Sequence, residues 1–283
     1  MLRVDVHTHV WEIPGHLGLA AVEEHRRVFG NTLQMHIDQD EHDRVMRDGT
    51  EVAIVFGLQA AYNDMWVPNE YVADYIKRDP NRFVGFASVD PNHPRCIDDL
   101  EIAVRELGLR GVKLAPVYQN FDPTSLYHAP LYQAIAELRI PIMWHTGHSV
   151  YPRTPLRTSQ PSMLDPVASF LRDTPMVFAH MGHPWTDDTM AMLRKHGNVY
   201  ADVSGSLSRR PWDFYQVLIA ATEYGVIHKV LTGTDYPVTT PARLEAAIRG
   251  VNAVVEGTAL PRVPDQVIEE LCRRDALMLL GIG

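Results

Sequence analysis

The chain has 283 residues, 46% of them hydrophobic, and sets 26 Lys and Arg against 35 Asp and Glu for a formal net charge of −9 and an isoelectric point near 5.8. That balance argues against a nucleic-acid or anionic-membrane surface, since either needs clustered basic residues, and it favours a small-molecule substrate. No apolar run approaches the roughly 20 residues of a membrane span, and MLRVDVHTHV opens without a signal-peptide pattern, so a soluble, cytoplasmic protein is expected. Cys96 and Cys272 lie in no CxxC spacing and read as packing residues.

Eight runs rich in Val, Ile, Phe and Leu recur in chain order: RVDVHTH, VAIVFG, FVGFASVDP, RGVKLAP, IPIMWHTG, PMVFAHMG, VYADVSG and KVLTGTDYP. Near-continuous apolar runs of this length, closed by Gly, Asp or Pro, suit parallel strands buried on both faces. Stretches of helical periodicity separate them, including NEYVADYIKRD, DDLEIAVRELG, APLYQAIAEL, WDFYQVLIAATEYG and PARLEAAIRGVNAVVEG. In DDLEIAVRELG the acids fall in the first turn and Gly108 stands where a left-handed cap belongs. Strand then helix, eight times over, predicts an α/β fold of the (β/α)8 TIM-barrel type, with residues 1–283 as one domain. Residues 11–37, with Trp11, His16, His25 and His36, form an insertion after the first strand that is expected to cap the barrel mouth. PDQVIEELCRRDALMLLGIG is expected to be a final helix.

Active sites of such barrels sit at the C-terminal ends of the strands. His7 and His9, Lys113, His145, His180 and Asp235 occupy those ends, where apolar residues would otherwise stand. Residues two apart on a strand face one side, so His7 and His9, with Asp5 below them, should face the barrel axis. His145 adds a third nitrogen and Asp235 a carboxylate, a set suited to Zn2+ or a similar divalent ion such as Mn2+. His180 would lie across the mouth, placed for a second metal or for a substrate oxygen. His148 and His183 each fall three residues past a strand-end histidine, beyond a Gly, and either line the pocket or bond locally. Lys113 either pairs with a neighbouring acid or, once desolvated, reacts with CO2 to give a carbamate bridging two metals. Arg153 and Arg157 in YPRTPLR, with Arg209 and Arg210 in SRRPW, either clamp a substrate carboxylate or stay solvated and cap helices.

With VDVHTH on the first strand, histidines ending the fifth and sixth, and GTDYP on the eighth, the chain resembles the amidohydrolase superfamily. More narrowly it is similar to the amidohydrolase-related (amidohydrolase 2) group, which includes aminocarboxymuconate semialdehyde decarboxylase and the resorcylate-type decarboxylases. The resemblance runs from about Val4 to the terminal helix. It implies that His7, His9, His145 and Asp235 hold a catalytic metal, that His180 is a catalytic or second-metal histidine, and that Lys113 matches the position carbamylated in two-metal members. It also suggests a homodimer. The AHMGHPW segment departs from the Gly-rich form of the semialdehyde decarboxylase.

Two reactions suit these residues. In a hydrolase of a small carboxylated compound with an amide, lactone or related bond, one or two metal ions would activate water, Asp235 would move its proton and His180 would hold the carbonyl oxygen. In a non-oxidative decarboxylase, Asp235 would protonate the carbon from which CO2 leaves. A metal-binding barrel without turnover ranks below both.

Overall fold

In the computed structural model, which describes residues 1–30 and 36–283, eight parallel strands pair in chain order. They are β1 (Leu2–His9), β2 (Thr50–Phe56), β3 (Phe83–Ser88), β4 (Val112–Leu114), β5 (Ile142–Trp144), β6 (Met176–Phe178), β7 (Val199–Asp202) and β8 (Val230–Leu231). The last strand returns to the first: Val6 N donates to Thr232 O, His9 N to Tyr236 O and Asp235 N to His7 O, at 2.9, 3.2 and 2.7 Å. Helices follow the strands and cover them, so β3 to β6 are buried along their whole length. The predicted α/β barrel is therefore the fold.

Local chemistry sets the helix boundaries. Asp38 caps Gln39–Gly49 by accepting from Glu41 N at 2.7 Å, and Thr240 does the same for Pro241–Arg249 from Arg243 N. Gly108 takes the left-handed conformation expected of it, φ 76°. Two predicted helices are interrupted. The segment from Pro241 turns into a 3-10 helix after Gly250, and the terminal segment splits into Asp265–Arg273 and Ala276–Leu279. The break falls at Asp275, whose carboxylate caps the second piece through Met278 N and pairs with Arg3 at 2.5 Å.

Apolar packing divides into three regions. Strands and helices bury one set of side chains between them. Alternate strand residues such as Val4, Val6, Phe56, Phe86, Met143 and Leu231 fill the barrel, joined by Ala276, Leu280 and Ile282 of the chain's last segment. A third cluster joins the insertion to the mouth: Leu17, Ala21 and Val22 pack on Leu58, Met65, Val150 and Tyr151. Burial of each Leu or Val of this kind contributes roughly 1.5–3 kcal/mol, which holds the helix Leu19–Phe29 over the site. Trp11 pairs with Ile37 where the insertion leaves and rejoins the barrel, and Arg27 donates to Val150 O at 2.8 Å. The part of the insertion at 31–35 lies outside the described residues. Among the described residues no helix is long and apolar enough to cross a membrane.

One strand expectation fails. The β1–β2 register slips between Asp5 and Thr8, so Val4 and Val6 enter the barrel core and Asp5 does not share a face with His7 and His9. Asp5 instead accepts from Thr234 N and Oγ1, at 2.9 and 2.7 Å, and from His7 N at 3.1 Å, tying β1 to the segment after β8. Burial raises its carboxyl to about 7.

Candidate metal centre

The slip in β1 delivers His7 and His9 to the mouth, and the turn after β8 delivers Asp235. Asp235 has φ 54°, a left-handed conformation that Asp tolerates better than most residues. Its backbone is pinned by its bond to His7 O, so its carboxylate turns back over β1. Asp235 Oδ1 lies 3.3 Å from His7 Nε2 and 3.2 Å from His9 Nε2.

Each ring's other nitrogen is already committed. His7 Nδ1 faces Asp202 Oδ2 at 2.9 Å, and His9 Nδ1 faces the Phe56 carbonyl at 3.2 Å. A carbonyl and a carboxylate only accept, so both Nδ1 atoms carry the hydrogen and both Nε2 atoms present lone pairs. Two imidazole lone pairs and a carboxylate oxygen thus converge, three acceptors with no donor among them, and His7 Nε2 is buried without a hydrogen-bond partner. Such a set calls for positive charge, supplied by a proton on an imidazole or by a divalent ion, and its nitrogen and oxygen donors suit Zn2+ or Mn2+. Burial lowers His9 to about 4, which keeps its ring neutral and able to ligate. Burial would raise Asp235; when protons on the rings rather than an ion supply the positive charge, His180, His7 and His9 outweigh it and hold the carboxyl below its ordinary range.

A second convergent set, His7, His180 and Asp202, also has its ligand atoms within 4.8 Å of one another. Asp202 is spent on orientation, however. It takes His7 Nδ1, the backbone of His180 at 2.8 Å, the backbone of Ser204 at 3.1 Å and the Ser204 hydroxyl. Burial would raise this carboxyl, yet His7 and the other donors bring it to about 2. His180 and Met181 are both left-handed, φ 58° and 49°, and the bond from His180 N to Asp202 helps hold that turn. Ser204 gives its hydrogen to Asp202, so at 2.6 Å it accepts from His180 Nδ1. His180 Nε2 is then a lone-pair site, and burial lowers the ring to about 3. Gly205, φ 69°, permits this closeness: a Cβ there would lie 3.0 Å from His180 Nδ1 and 3.3 Å from Asp235 Oδ2.

His145 sits beyond His180, ring centroids 5.1 Å apart, with Nε2 3.2 Å from the His148 carbonyl. It is outside both convergent sets. Lys113 is buried beside the centre, its Nζ 5.0 Å over the Phe56 ring and without a hydrogen-bond partner, and burial lowers it to about 8. Among the described residues no acid forms an ion pair with it, although the charges of Asp235 and Asp202 act on it from a distance. His148 and His183 both line the cavity, rings at 6.3 Å, and His148 N donates to His183 O at 3.0 Å. The four arginines are exposed and none lines the cavity. Arg153 borders a neighbouring pocket, Arg209 donates to Val238 O, and Arg210 pairs with Asp213 and donates to His183 Nε2 at 3.1 Å. Of the insertion residues, Trp11 and His25 line the cavity, whereas His16 and His36 accept from backbone N–H groups nearby.

Asp202, Ser204, Tyr118 and Tyr151 were not anticipated from the sequence. The signal for the first two was available: in VYADVSG a polar residue recurs at the strand end with the two-residue period that marks His7 and His9.

The model of the amidohydrolase family, Amidohydro_2, matches residues 4–282. None of the curated proteins matches the sequence. Among solved structures, the fold is shared with an uncharacterized TIM-barrel protein of Bordetella bronchiseptica (TM-score 0.74, 19% identity, 99% of each chain covered). It is shared with a probable 2-pyrone-4,6-dicarboxylic acid hydrolase of Acinetobacter baumannii holding citric acid (0.67, 15%, 99% of this chain and 100% of that one). A dihydroxybenzoic acid decarboxylase of Polaromonas sp. JS666, with manganese and 2-nitroresorcinol bound, is similar too (0.67, 17%, 99% and 97%). With the barrel, the strand-end histidines and a family match over nearly all its length, the chain belongs to the amidohydrolase family.

Proposed function

We propose that this protein is a metal-dependent hydrolase of a small carbonyl compound, a lactone, amide or related ester, with one divalent ion, zinc or manganese, held by His7, His9 and Asp235. The observation that carries this reading is the donor-free meeting of His7 Nε2, His9 Nε2 and Asp235 Oδ1 at 3.2–3.3 Å. An ion bound there supplies Lewis acidity toward a carbonyl and a lowered pKa for water.

The chain's own groups supply proton transfer and shape. Asp235, ionised and at the mouth, takes the proton of the attacking water and returns it to the leaving group. His180 differs from its expected part. With Nδ1 donating to Ser204 its Nε2 is an acceptor, so it shares the proton load and does not donate to a carbonyl oxygen. Lys113, the one Lys or Arg side chain among the described residues lining the cavity, offers a carboxylated substrate its positive charge. The Trp11, Phe29 and Leu58 side chains exclude water from the far wall.

A specific observation favours decarboxylation as the second reading: aromatic side chains, Trp11, Phe29, Tyr118 and Tyr151, face one cavity with a single strong cation, which suits a flat aromatic monoacid. Metal content by plasma mass spectrometry, followed by a panel of lactones, cyclic amides and aromatic acids in 18O-labelled water, separates the two. Stoichiometric metal and 18O in an acid product support hydrolysis. CO2 release without label in the ring product replaces it with decarboxylation, and a protein that retains no ion overturns both.

A further inference from the structure

His25 lies on the insertion, yet it faces the same cavity as the metal centre. Its Nδ1 is 2.9 Å from the Ala21 carbonyl, one turn back on its helix, and 3.0 Å from Tyr151 Oη; that hydroxyl is in turn 3.5 Å from Met65 Sδ. Neither the carbonyl nor the thioether can donate. The hydrogens therefore have one consistent arrangement: Nδ1–H is shared between Ala21 O and Tyr151 Oη, and the tyrosine hydrogen points to Met65. His25 Nε2 is left as a lone pair, with no hydrogen bond to any described residue.

The ring is fixed as well as oriented. It meets Tyr151 edge-on at 5.5 Å and stacks on Phe29 at 6.2 Å. Aromatic contacts run from it toward the metal centre: Tyr151 to Tyr118 at 5.3 Å, Tyr118 to His145 at 4.4 Å, and His145 to His180 at 5.1 Å. His25 thus stands at the opposite end of one wall from the strand-end histidines, in an otherwise apolar region formed by Leu17, Met65 and Val150. Partial burial lowers its pKa, which keeps the ring neutral.

We infer that His25 is a specificity residue, its Nε2 accepting a hydrogen bond from a hydroxyl or amino group at the end of the substrate remote from the metal centre. A lone pair in an apolar wall attracts a donor and repels an anion, so this end of the cavity refuses a second carboxylate. The substrate class is a small monocarboxylate or neutral carbonyl compound with a distal donor, and dicarboxylates are excluded. The inference rests on the reading of the cavity as a substrate site, whichever reaction takes place there.

The test is equilibrium binding by calorimetry to the metal-loaded protein, with benzoate, 3- and 4-hydroxybenzoate, isophthalate and terephthalate as probes, beside 15N spectra of the His25 ring. The wild-type protein is expected to bind a hydroxylated probe about tenfold more tightly than benzoate and to bind the dicarboxylates most weakly. In His25→Phe the hydroxyl preference is expected to fall within about twofold and the penalty on dicarboxylates to shrink, with metal content unchanged. His25→Gln, which restores an acceptor, should recover part of the preference. The inference is overturned by an unchanged preference in a folded His25→Phe protein, by failure of every probe to bind at millimolar concentration, or by 15N shifts that place the hydrogen on Nε2. Discrimination by His25 among probes that are never turned over would leave it standing while the proposed reaction fails.

Discussion

His7 Nδ1 and Asp202 Oδ2, 2.9 Å apart, join β1 to β7 inside the barrel, and both side chains are almost wholly shielded from water. The carboxylate fixes the ring's tautomer and aims Nε2 at the metal position. Asp202→Asn puts an amide where only an acceptor suits Nδ1–H. Metal affinity should fall by roughly 10- to 100-fold, measured by competition with a chromogenic chelator. A change under about twofold would remove Asp202 from the centre.

Asp235→Asn keeps the size of the side chain and one oxygen but cannot take a proton. Turnover per bound ion should drop by roughly 10²- to 10⁴-fold, read from kcat and metal content on the same metal-loaded sample. Full activity in that variant would sink its assigned role.

Gly205→Ala places a methyl group against His180 and Asp235 at a left-handed backbone position, and should cost about 1–2 kcal/mol of stability together with most of the activity. Gly225 has a similar φ of 73° with nothing near its absent Cβ, so Gly225→Ala should lose comparable stability and keep its activity. Thermal melts and rates on the pair separate backbone strain from damage to the site.

Burial holds the Lys113 amine at about 8, against 10.5 in the unfolded chain. Below pH 8 both states carry the proton and the native state bears the whole penalty, about 3 kcal/mol for a shift of this size. Between pH 8 and 10.5 the native amine is neutral while the unfolded one still binds a proton, so stability rises with pH and the penalty fades. Metal-free Lys113→Met should therefore unfold at higher urea than the parent at pH 7, with the gap narrowing by pH 9.5. A gap that widens with pH would contradict the sign.

The barrel was legible because most strands are near-continuous apolar runs with polar residues gathered at their C-terminal ends, and in the structure the side chains of His7, His9 and Asp235 meet at those ends. The two-residue rule misplaced Asp5, because alternation presumes a regular strand and β1 slips its register before His7. Asp202 stands at a strand end in VYADVSG, where the same rule could have found it, but its pairing with His7, 195 positions away, is one that no local pattern spans. The arginines of YPRTPLR and SRRPW illustrate the opposite limit: a loop's sequence names its charges but not the side of the mouth they face, and all four turn outward.

The seam between β8 and β1 places one half of the centre at each end of the barrel sequence. Asp5 and Thr234, which bond across that seam, are 229 positions apart. As the chain leaves the ribosome, the two histidines emerge more than two hundred residues ahead of the aspartate that completes their grip. The ion would then act as a latch on the finished ring, engaging only after the final strand has docked. Loss of the ion from a mature molecule would loosen the same joint first, and amide exchange along β1 and β8 would register it before any other strand.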